Sequence, residues 1–185
     1  SVNIDWIDSE TLNGNLKQLD NFDGVLVPGG FGTRGSEGII DTATYALEKN
    51  IPYLGICFGF QLAAIAFGRK MCNLENANST EIIADTNDPI IDLLPEQKNE
   101  TDMGGSLRLG ANEIKINQDS LAYKIYNSDK IFKRHRHRYE FNTKYRDEFL
   151  KNGMIFSGES DDGKRMEILE IPTHKFFLGV QFHPE

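Results

Sequence analysis

The stretch Tyr53-Leu54-Gly55-Ile56-Cys57-Phe58-Gly59-Phe60-Gln61 passes from one kind of secondary structure to another at Cys57. The apolar run after Pro52 has the length of a short buried strand, and Gly59 to Phe67 reads as a helix that Gly68 ends. Cys57 therefore falls at a strand-to-helix corner. Gly-x-Cys-x-Gly is the thiol counterpart of the Gly-x-Ser-x-Gly nucleophile elbow, in which residues without a Cβ let neighbouring backbone approach a sharp turn. The free amides at the start of the following helix point back at the sulfur and are expected to favour thiolate over thiol. A cysteine in a buried turn also serves simply as a small core residue. What separates the two readings is a base.

Upstream, Gly24-Val25-Leu26-Val27 is a short buried strand running into Pro28-Gly29-Gly30-Phe31-Gly32-Thr33-Arg34-Gly35. Glu37 to Lys49 then reads as an amphipathic helix, stopped by Asn50-Ile51-Pro52. Strand, helix and strand in that order form a right-handed βαβ unit with parallel strands. Gly29-Gly30 and Cys57 thus share the C-terminal edge of the sheet, where open α/β sheets bind ligands. Attack by the thiol on an acyl carbon creates an oxyanion, and the backbone amides of Gly30 and Phe58 are placed to receive it. A glycine loop also serves merely to turn the chain or to cradle phosphate. This one fits neither Gly-x-Gly-x-x-Gly nor the P-loop spacing.

The chain has 185 residues, 39% of them apolar, which suits one domain with one core. Its formal net charge of −8 argues against general affinity for nucleic acid or an acidic membrane surface. Cys57 and Cys72 form no disulfide framework, and neither a signal peptide nor an apolar run of membrane-spanning length is visible. A cytoplasmic, reducing setting is the expectation.

Farther out, Val2 to Ile7 alternates as a half-exposed strand does, and Leu12 to Leu19 is a weak polar helix or a loop. Asp85 to Gly105 is polar and punctuated by Gly and Pro, with an apolar island at Ile90 to Leu94, and reads as a lid. Leu107-Gly110 and Glu113-Ile116 look like exposed strands and Ser120 to Tyr126 like a short helix. In Lys133-Arg134-His135-Arg136-His137-Arg138-Tyr139-Glu140, an extended backbone sets Arg134, Arg136 and Arg138 on one face and His135, His137 and Tyr139 on the other. That run is a solvated face, an anion site or a histidine metal site; for a metal, no third ligand lies at suitable spacing. Met166 to Ile171 and Phe176 to Phe182 are two more strands, the second entering His183-Pro184-Glu185. Pro184 keeps the tripeptide extended, so Glu185 lies on the same side as His183 and can orient it. Cys57, His183 and Glu185 then form a nucleophile, base and orienter. His174, in a turn after Pro172, is the rival base.

Pro-Gly-Gly-Phe-Gly at 28–32, Gly-Ile-Cys-x-Gly-x-Gln at 55–61 and the closing Gln-Phe-His-Pro-Glu resemble the class I, or triad, glutamine amidotransferases. Asn78-Ser79-Thr80-Glu81, the Met103 to Gly110 block and Arg134 to Glu140 are similar, within that group, to the glutaminase domains of the CTP synthase family. The resemblance implies an α/β, flavodoxin-like fold with a three-layer open sheet, mostly parallel, over a single domain from 1 to 185 trimmed at both ends. It implies that Cys57 attacks the side-chain amide of L-glutamine, with His183 as base and Glu185 as orienter, and that the thioester is hydrolysed to glutamate and ammonia. It further implies that Arg138 binds the substrate α-carboxylate and Glu81 its α-amino group, with Gly30, Phe58, Gly59, Phe60 and Gln61 lining the pocket. No cofactor or metal is implied here; ATP, Mg and UTP belong to a separate synthetase domain, with GTP as activator near Arg34 and Arg108. A homo-oligomer, a tetramer, is implied for the full-length enzyme. Phe58 and Phe60 stand where many relatives carry Leu and Met, and Ser106 replaces the usual Thr. Two rivals are a non-catalytic amidotransferase-like assembly module and another elbow-cysteine hydrolase.

Overall fold

Residues 1–12, 14–94, 97 and 107–185 are described by the computed structural model. Its core grows from three short apolar strands, β1 (Val25–Val27), β2 (Tyr53–Ile56) and β10 (Phe177–Val180), which lie parallel with β2 in the middle. All four residues of β10 are buried, as a strand covered on both faces requires. From β10 the sheet continues antiparallel through β9 (Met166–Glu170), β8 (Ile155–Ser160), β5 (Arg108–Ile116) and β6 (Lys130–His137). The α/β class is as expected, and the sheet is mixed, with its parallel part at the end that bears Cys57.

One face is covered by α1 (Ser36–Lys49) and α2 (Phe58–Met71), which pack on each other and bury Ile40, Ala43, Leu62, Ile65 and Phe67 with Tyr53 and Phe177. Tyr53 stacks on Phe177 at 4.7 Å and donates its hydroxyl to the Gly59 carbonyl at 2.9 Å, tying β2 to the start of α2. The other face holds Ile114, Ile116, Ile168, Leu178 and Phe182 under α3 (Leu121–Tyr126), whose Ser120 cap accepts from the Tyr123 amide. A second sheet, β3 (Ala77–Ser79), β4 (Asp88–Asp92) and β7 (Glu140–Phe141), flanks α2, and α4 (Arg146–Lys151) packs Phe149 against Phe67. No helix among the described residues is long and apolar enough to cross a membrane.

Several elements differ from the sequence expectation. Gly68 does not end α2 but lies buried inside it, where a Cβ would stand 3.3 Å from that of Ala77 and 3.4 Å from the Phe149 ring; its smallness serves packing. Val2 to Ile7 pairs with no strand among the described residues, and Val2, Ile4 and Trp6 are exposed. The two strands expected over 107–116 are one, Arg108–Ile116, in unbroken register with β6 although Gly110 takes φ 81°. Of the lid stretch, Asp88–Asp92 is strand β4; residues 95, 96 and 98–106, including Met103 to Ser106, lie outside the described residues.

Candidate active site

Cys57 adopts φ 52°, ψ −96° between β2 and α2, a conformation that costs a side-chain-bearing residue about 1–3 kcal/mol and needs surroundings that enforce it. Its amide donates to the Val180 carbonyl at 2.7 Å, and its carbonyl accepts from the Gln61 amide at 3.2 Å. The flanking glycines are required by contact: a Cβ on Gly55 would stand 2.5 Å from the Gly59 carbonyl, and one on Gly59 would stand 2.5 Å from that of Val27.

The strand before His183 is β10, the direct neighbour of β2, so Cys57 and His183 leave adjacent parallel strands at the same edge. The His183 amide donates to the Arg134 carbonyl at 2.8 Å, which fixes the ring's backbone against β6. Nδ1 lies 2.8 Å from Glu185 Oε1, and a proton on Nδ1 leaves Nε2 bare and able to accept one. That hydrogen bond also holds the Glu185 carboxyl below its ordinary pKa. Gly29 seats the imidazole, since a Cβ there would stand 2.8 Å from His183 Cε1. Gly30 packs on the Phe58 ring. His174 is elsewhere, with Nε2 3.0 Å from the Ala46 carbonyl and Nδ1 accepting from the Phe176 amide, at the opposite end of β10.

The sulfur does not behave as the helix-dipole argument expects. Burial pushes the Cys57 thiol up to about 12, and Glu140 and Glu185 act in the same sense. The Phe58 amide and the Gln181 carboxamide, 3.8 Å from Sγ, oppose this without overcoming it. The resting group is therefore a thiol, and attack requires proton transfer to a base rather than a standing thiolate.

Around this centre, Glu81 Oε1 accepts from the Gly32 amide at 3.0 Å, which brings the carboxylate to the glycine loop. Arg138 follows β6, half-buried, with its carbonyl accepting from Gln97 at 3.0 Å. Tyr139 feels both: the charge of Glu81 raises its pKa and that of Arg138 lowers it, after the larger effect of burial. Phe60 is fully buried in the core, and Gln61 turns its carboxamide inward to the Tyr139 carbonyl at 3.0 Å and Gln181 Oε1 at 3.3 Å. Arg34 is exposed and ion-paired with Glu10 at 2.8 Å. Arg108 turns inward to Glu167, with Glu140 at 3.9 Å. The alternation expected in β6 holds for Arg134 to His137: both arginines are exposed and both histidines buried, Nδ1 of His135 lying 2.9 Å from Nε2 of His137.

The family model "Glutamine amidotransferase class-I" matches residues 1–185. The chain belongs to that family. Among curated relatives, it is 54% identical to a CTP synthase of Halalkalibacterium halodurans over 186 residues, covering 100% of this chain and 35% of that protein. A CTP synthase of Archaeoglobus fulgidus is 52% identical, again over 100% of this chain and 35% of that protein. The chain thus spans about a third of the length of the curated relatives it matches. A solved structure described as "Trypanosoma brucei CTPS - glutaminase domain with bound acivicin" superposes with a TM-score of 0.93 at 36% identity, covering 100% of this chain and 73% of that one.

Within this amidotransferase domain, reading the sequence missed Gln181, the buried carboxylates Glu140 and Glu167 and the half-buried Arg165, and it named Gly29 without its contact to His183. Gln181 carried a signal, being the one polar side chain in the apolar run Phe176 to Phe182. Fully buried, it required a partner.

Proposed function

We propose that the chain is the glutaminase half of a CTP synthase, hydrolysing L-glutamine through a Cys57 thioester. The observation that carries this is the pairing of a strained cysteine elbow after β2 with a His183–Glu185 pair after the adjacent parallel strand β10. Cys57 Sγ adds to the carboxamide carbon while its proton passes to His183 Nε2; the Gly30 and Phe58 amides receive the oxyanion. Collapse expels ammonia, which takes that proton, and water then attacks the thioester with His183 again as base, giving glutamate. Arg138 and Glu81 hold the α-carboxylate and α-amino group. Their shared influence on Tyr139 supports placing both at one site.

The ammonia then serves a synthetase domain that converts UTP to CTP with ATP and Mg, under activation by GTP near Arg34 and Arg108, in a cytoplasmic homo-tetramer. These readings rest on the resemblance of the sequence motifs to the CTP synthase family. The test is treatment with an electrophilic glutamine analogue, followed by intact mass and peptide mapping. One adduct on Cys57, blocked by excess glutamine and absent in Cys57→Ala, is expected; a folded chain that forms none overturns the reading.

A further inference from the structure

The carbonyl of half-buried Tyr139 and the buried side chains of Gln61, Gln181 and Cys57 form a hydrogen-bond chain whose direction is fixed by chemistry. The Tyr139 carbonyl only accepts, so the Gln61 group facing it at 3.0 Å is Nε2. The same NH2 lies 3.3 Å from the Gln181 carboxamide, which must present Oε1 to it. Gln181 Nε2 is thereby turned to Cys57 Sγ at 3.8 Å. A flip of Gln61 would set acceptor against acceptor at both contacts, and a flip of Gln181 would set donor against donor. The anchor is itself held from the other side, where His137 Nδ1 lies 3.2 Å from the Tyr139 carbonyl and can only donate to it. Gln61 and Gln181 are buried, and Gln181 fully so. A donor placed so deliberately on a reacting atom is more than packing.

We propose that Gln181 is a catalytic residue whose Nε2–H donates to Cys57 Sγ, stabilising the sulfur as it gains negative charge, and that Gln61 is the positioning residue that aims it. The thiol proton points instead toward the Arg136 carbonyl, 4.0 Å from Sγ, so the Gln181 donor does not compete with it. The charges that bear on the sulfur, Glu140 and Glu185, both oppose the thiolate, which leaves the neutral donors of Gln181 and the Phe58 amide to favour it. No covalent step is added; the proton still leaves through His183. This inference rests on the glutaminase reading for its role in turnover, but not for its effect on the thiol.

The test therefore uses a probe that needs no glutamine pocket. Cys57 alkylation by iodoacetamide is followed by peptide mapping at pH 8 in the full chain and in Gln181→Met, which keeps the side chain's length without a donor. Loss of a hydrogen bond to a charged group raises a thiol pKa by about one unit or more, and because a more basic thiolate is also more nucleophilic the net rate falls about three- to tenfold. Gln61→Met is expected to slow alkylation too, and the double variant Gln61→Met/Gln181→Met to be no slower than Gln181→Met alone, because Gln61 acts through Gln181. Glutamine turnover should lose kcat with KM nearly unchanged. An unchanged alkylation rate in Gln181→Met overturns the proposal, as does a double variant in which the two effects simply add. If Gln181→Met does not fold, Gln181→Glu replaces the donor with an ionisable acceptor of the same shape, and wild-type alkylation there overturns it equally. Failure of the glutamine-analogue adduct beside a positive alkylation result would reject the glutaminase reading and leave the Gln181 donor standing.

Discussion

The buried pair His135 and His137 shows what single residues cost and contribute here. Burial, with Arg108 close by, lowers His135 to about 2 and His137 to about 3, so both stay neutral in the folded chain. In the unfolded chain each protonates near 6.5, so below that pH the unfolded state holds more protons and stability falls, by about 1.4 kcal/mol per pH unit for each imidazole. Glu167 works in the opposite sense: burial raises its carboxyl, so as pH falls it is protonated in the folded chain before the unfolded one. Urea unfolding between pH 7 and pH 5 should show the histidine slope removed in part by His135→Asn, whose amide keeps the donor toward His137. An unchanged slope would mean that His135 is protonated in the folded chain. The alternation that buries these rings was legible from spacing alone. What they touch was not, because Glu167 comes from β9 and Glu140 from β7, neither of them β6's neighbour in the sheet order. The state of the Cys57 thiol escaped for the same reason, since burial is a tertiary quantity and the helix amide is a local one.

Elements formed around close approaches were read well where a motif demanded them. The strand-turn-helix at Cys57 and the βαβ unit before it both appear, β1 pairing Val25 with Tyr53 in parallel register. Gly59→Ala tests the tightest of these approaches. Helix propensity favours alanine by about 1 kcal/mol, yet the new methyl would meet the Val27 backbone, and overpacking of this kind costs about 1–3 kcal/mol. A lower thermal midpoint and slower Cys57 alkylation are expected; a raised midpoint with wild-type alkylation would show that α2 shifts freely over β1. Gly68 misled because a glycine late in an apolar helix reads as a stop, whereas here the space it leaves is filled by Ala77 and Phe149. Strand β4 escaped because Asp and Pro dominate its surroundings, and its pairing with β3 and β7 is decided by tertiary contact.

At the scale of the molecule, the sheet joins two unlike halves, a parallel part carrying Cys57 and His183 and an antiparallel part carrying β5, β6 and β8. Within the antiparallel part, Arg108 of β5 and Glu167 of β9 form a buried ion pair across β8, with Arg165 3.6 Å from Glu140 beside it. Arg108→Met should cost about 3–5 kcal/mol in denaturant unfolding, because it leaves a buried carboxylate short of its partner. A loss below 1 kcal/mol would mean that Arg165 already neutralises the cluster. Strand β10, set between β2 and β9, has a consequence in the timing of synthesis. It joins β2 across 124 residues of sequence, the separation of Cys57 from Gln181. At translation rates of about 5–20 residues per second, roughly 6–25 s pass between the two leaving the ribosome. Throughout that interval the nascent chain carries Cys57 without His183 or Gln181, so under the proposed mechanism a growing polypeptide would release no ammonia before its sheet closes.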